Sequence, residues 1–359
     1  MPKGKHKKVT IATIASETGL ARSTVGFILN GQTRDRRIAA KTSRRVLAAA
    51  RRLQYVPNDV ARSLRRRRTG VIGVIFAHLR EHWAERAVLG MRSVLDPADY
   101  VPFITTHQSD RHWQQREIQT LLGRQVEAII CMPLAEDLDA YRMVMERGVP
   151  LVFLGDYLNE MPQVSFAAWE TGSAARAALR HLLGLGRRRI AYIGWDDPRP
   201  MRQAPFAAYR EALREARLEF REDWVVRLGH GNLPTRRVAG MFTRKGPRPD
   251  AVMARTDAYG VAALSVLEKR GIRVPGDVAI IGMDDLPGSD FPGVGLSTMV
   301  FPAEEVGRKA AQIALELIQT PAKAPIRRLI EHVELIARRT TVGLPEAGHG
   351  AMSARAKRG

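Results

Sequence analysis

From Thr69 onward the chain alternates short apolar runs with amphipathic segments, and few folds accommodate that grammar. The runs VIGVIF (71–76), YVPFITT (100–106), EAIICMP (127–133), PLVFLG (150–155), RIAYIGW (189–195), DAVMAR (250–255) and VAIIGMD (278–284) have the length of buried strands. Between them lie HWAERAVLGMRSVL, RHWQQREIQTLLG, AARAALRHLLGLG, PFAAYREALREA, AYGVAALSVLEKRG and AEEVGRKAAQIALELI, whose apolar residues recur at helical spacing. Continuously apolar strands separated by helices predict parallel sheets covered on both faces. Roughly 270 residues of this pattern are long for one sheet, so an α/β core of two doubly wound subdomains is expected.

The first 70 residues read as short helices with no strand pattern. VTIATIASETG carries Ile11, Ile14 and Ala15 on one face, with Thr10 as N-cap and Gly19 as a turn. ARSTVGFILNG is a second helix, closed by the left-handed signal Asn30-Gly31. AAKTSRRVLAAARRLQY is a third, with Val46, Leu47, Ala50 and Leu53 inward; VPNDVARSLRRRR opens a further short helix at Pro57. Met1–Gly70 holds 18 Lys and Arg against three acids (Glu17, Asp35, Asp59), which places fifteen of the chain's twenty net positive charges there. Such a segment favours a polyanionic partner, nucleic acid before an anionic membrane.

The second helix sharpens this. Val25, Ile28 and Leu29 form its buried stripe, leaving Arg22, Ser23, Gly26 and Phe27 on the outer face. A helix, a Gly turn and a second helix fit a helix-turn-helix, whose second helix presents its first residues to base edges in the major groove. Arg22 can pair with guanine O6 and N7, and Ser23 with several bases or a phosphate. The competing reading of Arg22 as a solvated helix-start arginine is weakened by the surrounding charge.

The stretches VTIATIASETGLARSTVGFILNG and RIAAKTSRRVLAAARRLQYVPNDVARSLRRRRTGVIGVI resemble the N-terminus of the LacI/GalR family of transcription repressors. LGRRRIAYIG, RGIRVPGDVAIIGMDD and LSTMVFPAEEVGRKAAQIAL extend the likeness over about residues 8 to 342. The resemblance implies a DNA-binding head (1–56), a hinge helix and linker (57–69) and a periplasmic-binding-protein-like core (70–344). Within the core it implies an N-subdomain of about 70–165 and 298–325 and a C-subdomain of about 166–297 and 326–344; the small, polar, basic composition of 345–359 predicts a disordered tail. It also implies a homodimer or tetramer on a near-palindromic double-stranded DNA operator, controlled by a sugar-like effector, with no cofactor and no membrane partner. By the same likeness Thr10, Arg22, Ser23, Thr24, Phe27 and Asn30 contact DNA from the head, and Asn58, Ala61, Leu64 and Arg65 from the hinge. Leu64 would wedge into the minor groove, and the arginine run after it would meet phosphates. His78, His82, Trp83 and Asp156, with Arg202, Asp257 and Asp284, are the expected effector contacts.

Departures matter as much. The family commonly places Ser-Arg or Ser-His where this chain has Gly26-Phe27. A glycine inside a helix costs roughly 1 kcal/mol relative to alanine, and Phe27 can pack on a thymine methyl but cannot pair with a base edge. In the core, PFAAY puts Pro205 at the place of the family's ligand-binding arginine, with Arg202 out of register, and GHGN (229–232) stands where an aromatic is usual. The effector is therefore expected to be non-standard, or its control lost or altered.

Other classes fit less well. Cys131 lies mid-strand among apolar residues, Asp284 and Asp285 are adjacent and diverge, and no Walker loop, G-x-S-x-G or H-E-x-x-H occurs, which argues against an enzyme. MPKGKHKK lacks an apolar signal core, which with the basic head argues against a secreted sugar-binding protein and for a cytoplasmic, nucleoid-associated one. The hinge motif argues against a nucleoid-type binder of low specificity.

Overall fold

The computed structural model describes residues 9–33, 36–55, 68–79, 82–197, 199–229, 233–320, 324–332 and 334–343. Asn58, Ala61, Leu64 and Arg65, together with the expected hinge helix and basic tail, lie outside the described residues. Contacts divide the chain into two units, Met1–Thr69 and Gly70–Gly359.

In the first unit the described helices are α1 (Ile11–Thr18), α2 (Arg22–Leu29) and α3 (Ala40–Arg52). Thr10 caps α1 reciprocally with Thr13: the Thr10 hydroxyl accepts the Thr13 N–H, and the Thr13 hydroxyl accepts the Thr10 N–H. Gly19 ends that helix at φ 62°. Ile14, Val25, Ile28 and Val46 form the small core, with Leu29, Leu53 and Tyr55 packed at its edge. Arg45 donates to the Thr18 carbonyl and Arg52 pairs with Glu17, so α3 is tied to α1. Leu47, expected inside, is 41% exposed; Ala49 takes its place against the core.

In the second unit the chain builds two six-stranded sheets of the same order. The first comprises β1 (Val71–Phe76), β2 (Val101–Thr106), β3 (Ala128–Cys131), β4 (Leu151–Gly155), β5 (Ser165–Trp169) and β11 (Arg327–Ile330), ordered β2-β1-β3-β4-β5-β11 and parallel throughout. The second comprises β6 (Ile190–Trp195), β7 (Val225–Leu228), β8 (Ala251–Ala254), β9 (Ala279–Met283), β10 (Ser297–Met299) and β12 (Leu335–Ile336), ordered β7-β6-β8-β9-β10-β12. Only the β10–β12 pairing is antiparallel. The covering helices are α4 (His82–Leu95), α5 (Arg111–Gly123), α6 (Leu138–Glu146), α7 (Thr171–Gly184), α8 (Pro200–Glu215), α9 (Thr235–Thr243), α10 (Asp257–Glu268), α11 (Ala303–Gln319) and α12 (Arg339–Val342).

The crossings between sheets lie close to the expected subdomain boundaries. The chain leaves the first sheet after Trp169, returns after Met299, and leaves again after Ile330. Each crossing falls two to five residues later than 165, 297 and 325. Of the strands at these crossings, β11 is an edge strand whose Arg327 and Arg328 are exposed, so no apolar run marks it.

His107 follows β2 and is buried, its Nδ1 accepting the Ser109 N–H at 3.0 Å. Burial pushes its pKa down to about 4. A base with a depressed folded-state pKa contributes stability that is full above the unfolded value of about 6.5 and lost as pH falls toward 4. Urea unfolding should therefore show the wild type losing about 3 kcal/mol more than His107→Asn between pH 7 and pH 4. Parallel pH dependence in the two proteins would remove His107 as the source.

Candidate functional site

In the head, Arg22 and Ser23 are exposed at the start of α2, and Thr24, Phe27 and Asn30 are half-buried. Two expected DNA contacts already have internal partners. The Thr10 hydroxyl belongs to the cap of α1, and the Asn30 amide donates to the Gly26 carbonyl at 2.7 Å, closing α2. A Cβ on Gly26 would meet nothing within 4 Å, so internal packing does not require glycine there. Phe27 is not a bare apolar ring: the Arg36 guanidinium lies over it, 4.6 Å from the ring centroid. That contact converts an apolar step on the face into a platform carrying charge. Arg36 escaped sequence reasoning because it sits in the α2–α3 connection, outside the recognition helix.

In the core a cavity of about 680 Å³ is lined from both sheets, at the carboxyl ends of their strands. Leu79 follows β1, Met132 follows β3, Gly155 ends β4, Trp195 ends β6, Arg255 follows β8 and Asp284 follows β9. Thr171 and Phe301, at two of the crossings, complete it with His82 and Trp83 of α4. Trp83 both lines the cavity and packs edge-on against Phe76 (5.5 Å) and Phe301 (5.8 Å). Apolar walls with a few convergent polar groups are the usual make-up of a small-molecule site.

Of the expected effector contacts, His82, Trp83, Arg202 and Asp284 line this cavity. Arg202 thus enters the site despite its expected offset, because α8 starts earlier than PFAAY suggests and brings its first turn to the cavity. Pro205 is tolerated inside α8 because the Met201 carbonyl, which loses an N–H partner to proline, accepts the Thr171 hydroxyl at 2.6 Å. His78 does not line the cavity.

Asp257 and Asp156 are corrections of role. Asp257 is fully buried, and its carboxylate accepts Thr298 Oγ1 (2.6 Å), Ser289 Oγ (2.8 Å) and the Leu286 N–H (2.9 Å). It therefore fixes the loop after β9, which carries Asp284, Leu286 and Pro287 to the wall. Asp156 lies behind the wall, accepting the Tyr157 and Met201 N–H groups and standing 3.8 Å from Arg202. Burial raises the Asp156 pKa, and burial, reinforced by Arg199, lowers that of Arg202 to about 10. Both shifts run toward neutrality because burial outweighs the attraction between the two groups.

Asp284 adopts φ 138°, a region costly for a residue with a side chain, and such strain collects at binding sites. The backbone is held there by the Asp284 N–H to the Met299 carbonyl (2.9 Å) and, next to it, by the Arg338–Asp285 ion pair (2.7 Å). The two adjacent carboxylates thus do different work and form no acid–base dyad. Cys131 is buried in β3 and burial pushes its thiol pKa up, the opposite of an activated nucleophile.

Two residues that sequence reasoning missed dominate the site. Trp195 has the Arg202 guanidinium 4.1 Å and the Arg255 guanidinium 4.7 Å from its ring. Their signal was positional, since each stands at or just past the end of an expected strand. A further contact joins the lobes: Arg199, paired with Asp197 beside it, donates to the Pro133 carbonyl at 2.9 Å.

A helix-turn-helix head joined in one chain to a two-lobed core with a cleft defines a ligand-binding DNA regulator. A periplasmic binding protein-like domain matches residues 179–341. The HTH-type transcriptional regulator CelR of Thermobifida fusca is 30% identical over 91% of this chain and 97% of its own length. A solved CelR–cellobiose complex superposes with TM-score 0.68 at 28% identity over 92% of this chain and 99% of that one. The Lac repressor dimer bound to operator and an anti-inducer shares the fold, with TM-score 0.81 at 24% identity over 93% of this chain and 99% of that one. The chain belongs to the LacI/GalR family of DNA-binding transcriptional regulators, which are not enzymes. Among the described residues no helix is long and apolar enough to cross a membrane.

Proposed function

We propose that the protein acts in the cytoplasm as a homodimeric repressor whose two heads read the half-sites of a near-palindromic operator. A small carbohydrate in the core cleft sets its DNA affinity. The observation that carries this reading is the cleft itself, walled by strand ends of both sheets and spanned by Arg199–Pro133 and Arg202–Asp156. A ligand touching both lobes changes the angle between them, and it shifts DNA affinity only by its differential affinity for the two arrangements. The relative's cellobiose complex supports a carbohydrate-sized occupant. These features favour retained over lost effector control.

In the head, Arg22 and Ser23 read bases, and the Phe27–Arg36 pair contributes where relatives use a polar residue. The gap at Gly26 allows close approach of the groove. The test is selection of bound sites from a random DNA pool with the full-length protein. A near-palindrome should emerge. Gly26→Ala should bind it about tenfold more weakly while the head gains up to about 1 kcal/mol of helix stability. Equal binding by Gly26→Ala would show that the gap serves no contact.

A further inference from the structure

We infer that the cleft ligand is an acidic carbohydrate, one whose carboxylate or phosphate is taken by Arg255 with Arg202 beside it. This rests on the cleft being the effector site. Arg255 is 5% exposed, and Arg202 presents a side chain 12% exposed. Each has a carboxylate near it, but at 4.0 Å (Asp284) and 3.8 Å (Asp156) these lie beyond hydrogen-bonding reach. Neither guanidinium makes a side-chain hydrogen bond among the described residues, and the Arg255 Nε is buried without a partner. The Arg255 Nε–H therefore lacks an acceptor in a place where an unpaired donor is costly, and the other donors of the two side chains are left to the cleft.

A neutral sugar can offer two adjacent hydroxyls to one guanidinium, but it brings no charge and accepts only neutral hydrogen bonds. A carboxylate or phosphate accepts two parallel N–H bonds from one guanidinium and also balances its charge. Of the lining acids, Asp284 faces Arg255 at 4.0 Å without a hydrogen bond to it. Glu85 stands at the rim with its side chain 72% exposed, near His82 at 3.6 Å. Asp284 is placed to accept hydroxyls from the remainder of the same ligand. Trp83 and Trp195 give the wall apolar surface for its carbon skeleton, and the volume of about 680 Å³ admits one or two sugar rings. Acid group, hydroxyls and carbon skeleton thus each have a partner in one cavity.

The experiment uses matched pairs on the full-length protein at constant ionic strength: glucuronate or glucose 6-phosphate against glucose, and cellobiouronate against cellobiose. Binding is read by tryptophan fluorescence and by thermal shift. The expected result is that at least one acid binds tenfold or more tightly than its neutral partner. Arg255→Gln should then lower the acid's affinity at least tenfold and the neutral partner's less than threefold, with Arg255→Lys intermediate for a carboxylate. Preference for the uronates or for the phosphate identifies the acid group. The proposal is overturned if the neutral sugars bind as tightly, if Arg255→Gln binds the acid like the wild type, or if no acid binds. Neutral-sugar binding whose fluorescence response disappears in Trp195→Phe would keep the cleft as an effector site while removing the acid. Binding by neither class would overturn both readings.

Discussion

Gly90→Ala should lower the thermal midpoint of the core by roughly 5–10 °C, the largest stability effect expected of any single methyl group in this chain. Helices α4 and α11 cross at Gly90 and Gly307. A Cβ on Gly90 would fall 1.9 Å from the Glu304 carbonyl oxygen, and one on Gly307 would fall 2.0 Å from that of Ala87. Both obstacles are helix backbone, so no side chain can swing aside and the helices must part. Overpacking of this kind costs about 1–3 kcal/mol and occasionally more. The crossing also serves the site, because α4 carries His82 and Trp83 and α11 follows Phe301. Parting the helices therefore loosens the Trp83–Phe301 contact, and ligand affinity should fall with the midpoint. Gly123→Ala is the control: it also lies in a helix, but its Cβ would meet nothing within 4 Å. Its midpoint should hold or rise slightly. A Gly90→Ala midpoint within 1 °C of wild type would contradict the close crossing.

Arg22→Ala should produce the largest effect on DNA. Its side chain is exposed at the first turn of α2, so removing it costs the head little stability. A bidentate arginine–guanine contact is worth about 1–3 kcal/mol of discrimination, which corresponds to roughly a 5- to 150-fold loss on the selected site. The loss should concentrate at one base position of each half-site, where the variant's selected profile becomes degenerate. Loss of a phosphate contact behaves differently, weakening all sequences alike and flattening the salt dependence. A uniform loss for Arg22→Ala would thus reassign Arg22 to the backbone.

The sequence was most legible where a run was long and continuously apolar. The seven expected strands all form, with ends within about two residues of the structure, and α4 and α5 begin and end as expected. VVRL and RRLI were not legible, being short edge strands where arginines interrupt the pattern, and SFAAW was not expected either. Helices α6 and α9, of nine residues each, were not expected. The site was half legible. Asp284 and Trp83 were recognisable by place, but no linear pattern distinguishes a carboxylate facing a cavity from one consumed by internal donors. Asp257 was consumed in that way because Thr298, Ser289 and the Leu286 N–H converge on it from a segment some thirty to forty residues later. Arg255 and Trp195 could have been found by asking which residues stand just past each strand end. Arg36 could not, because its stacking on Phe27 is made by a turn with no regular period.

The most direct test of the account is operator affinity of the full-length protein, measured at fixed salt with and without the ligand identified for the cleft. Coupling between cleft and heads predicts a change of about fivefold or more, matched by an equal change in ligand affinity when operator DNA is present. Operator affinity that stays the same at saturating ligand would contradict it.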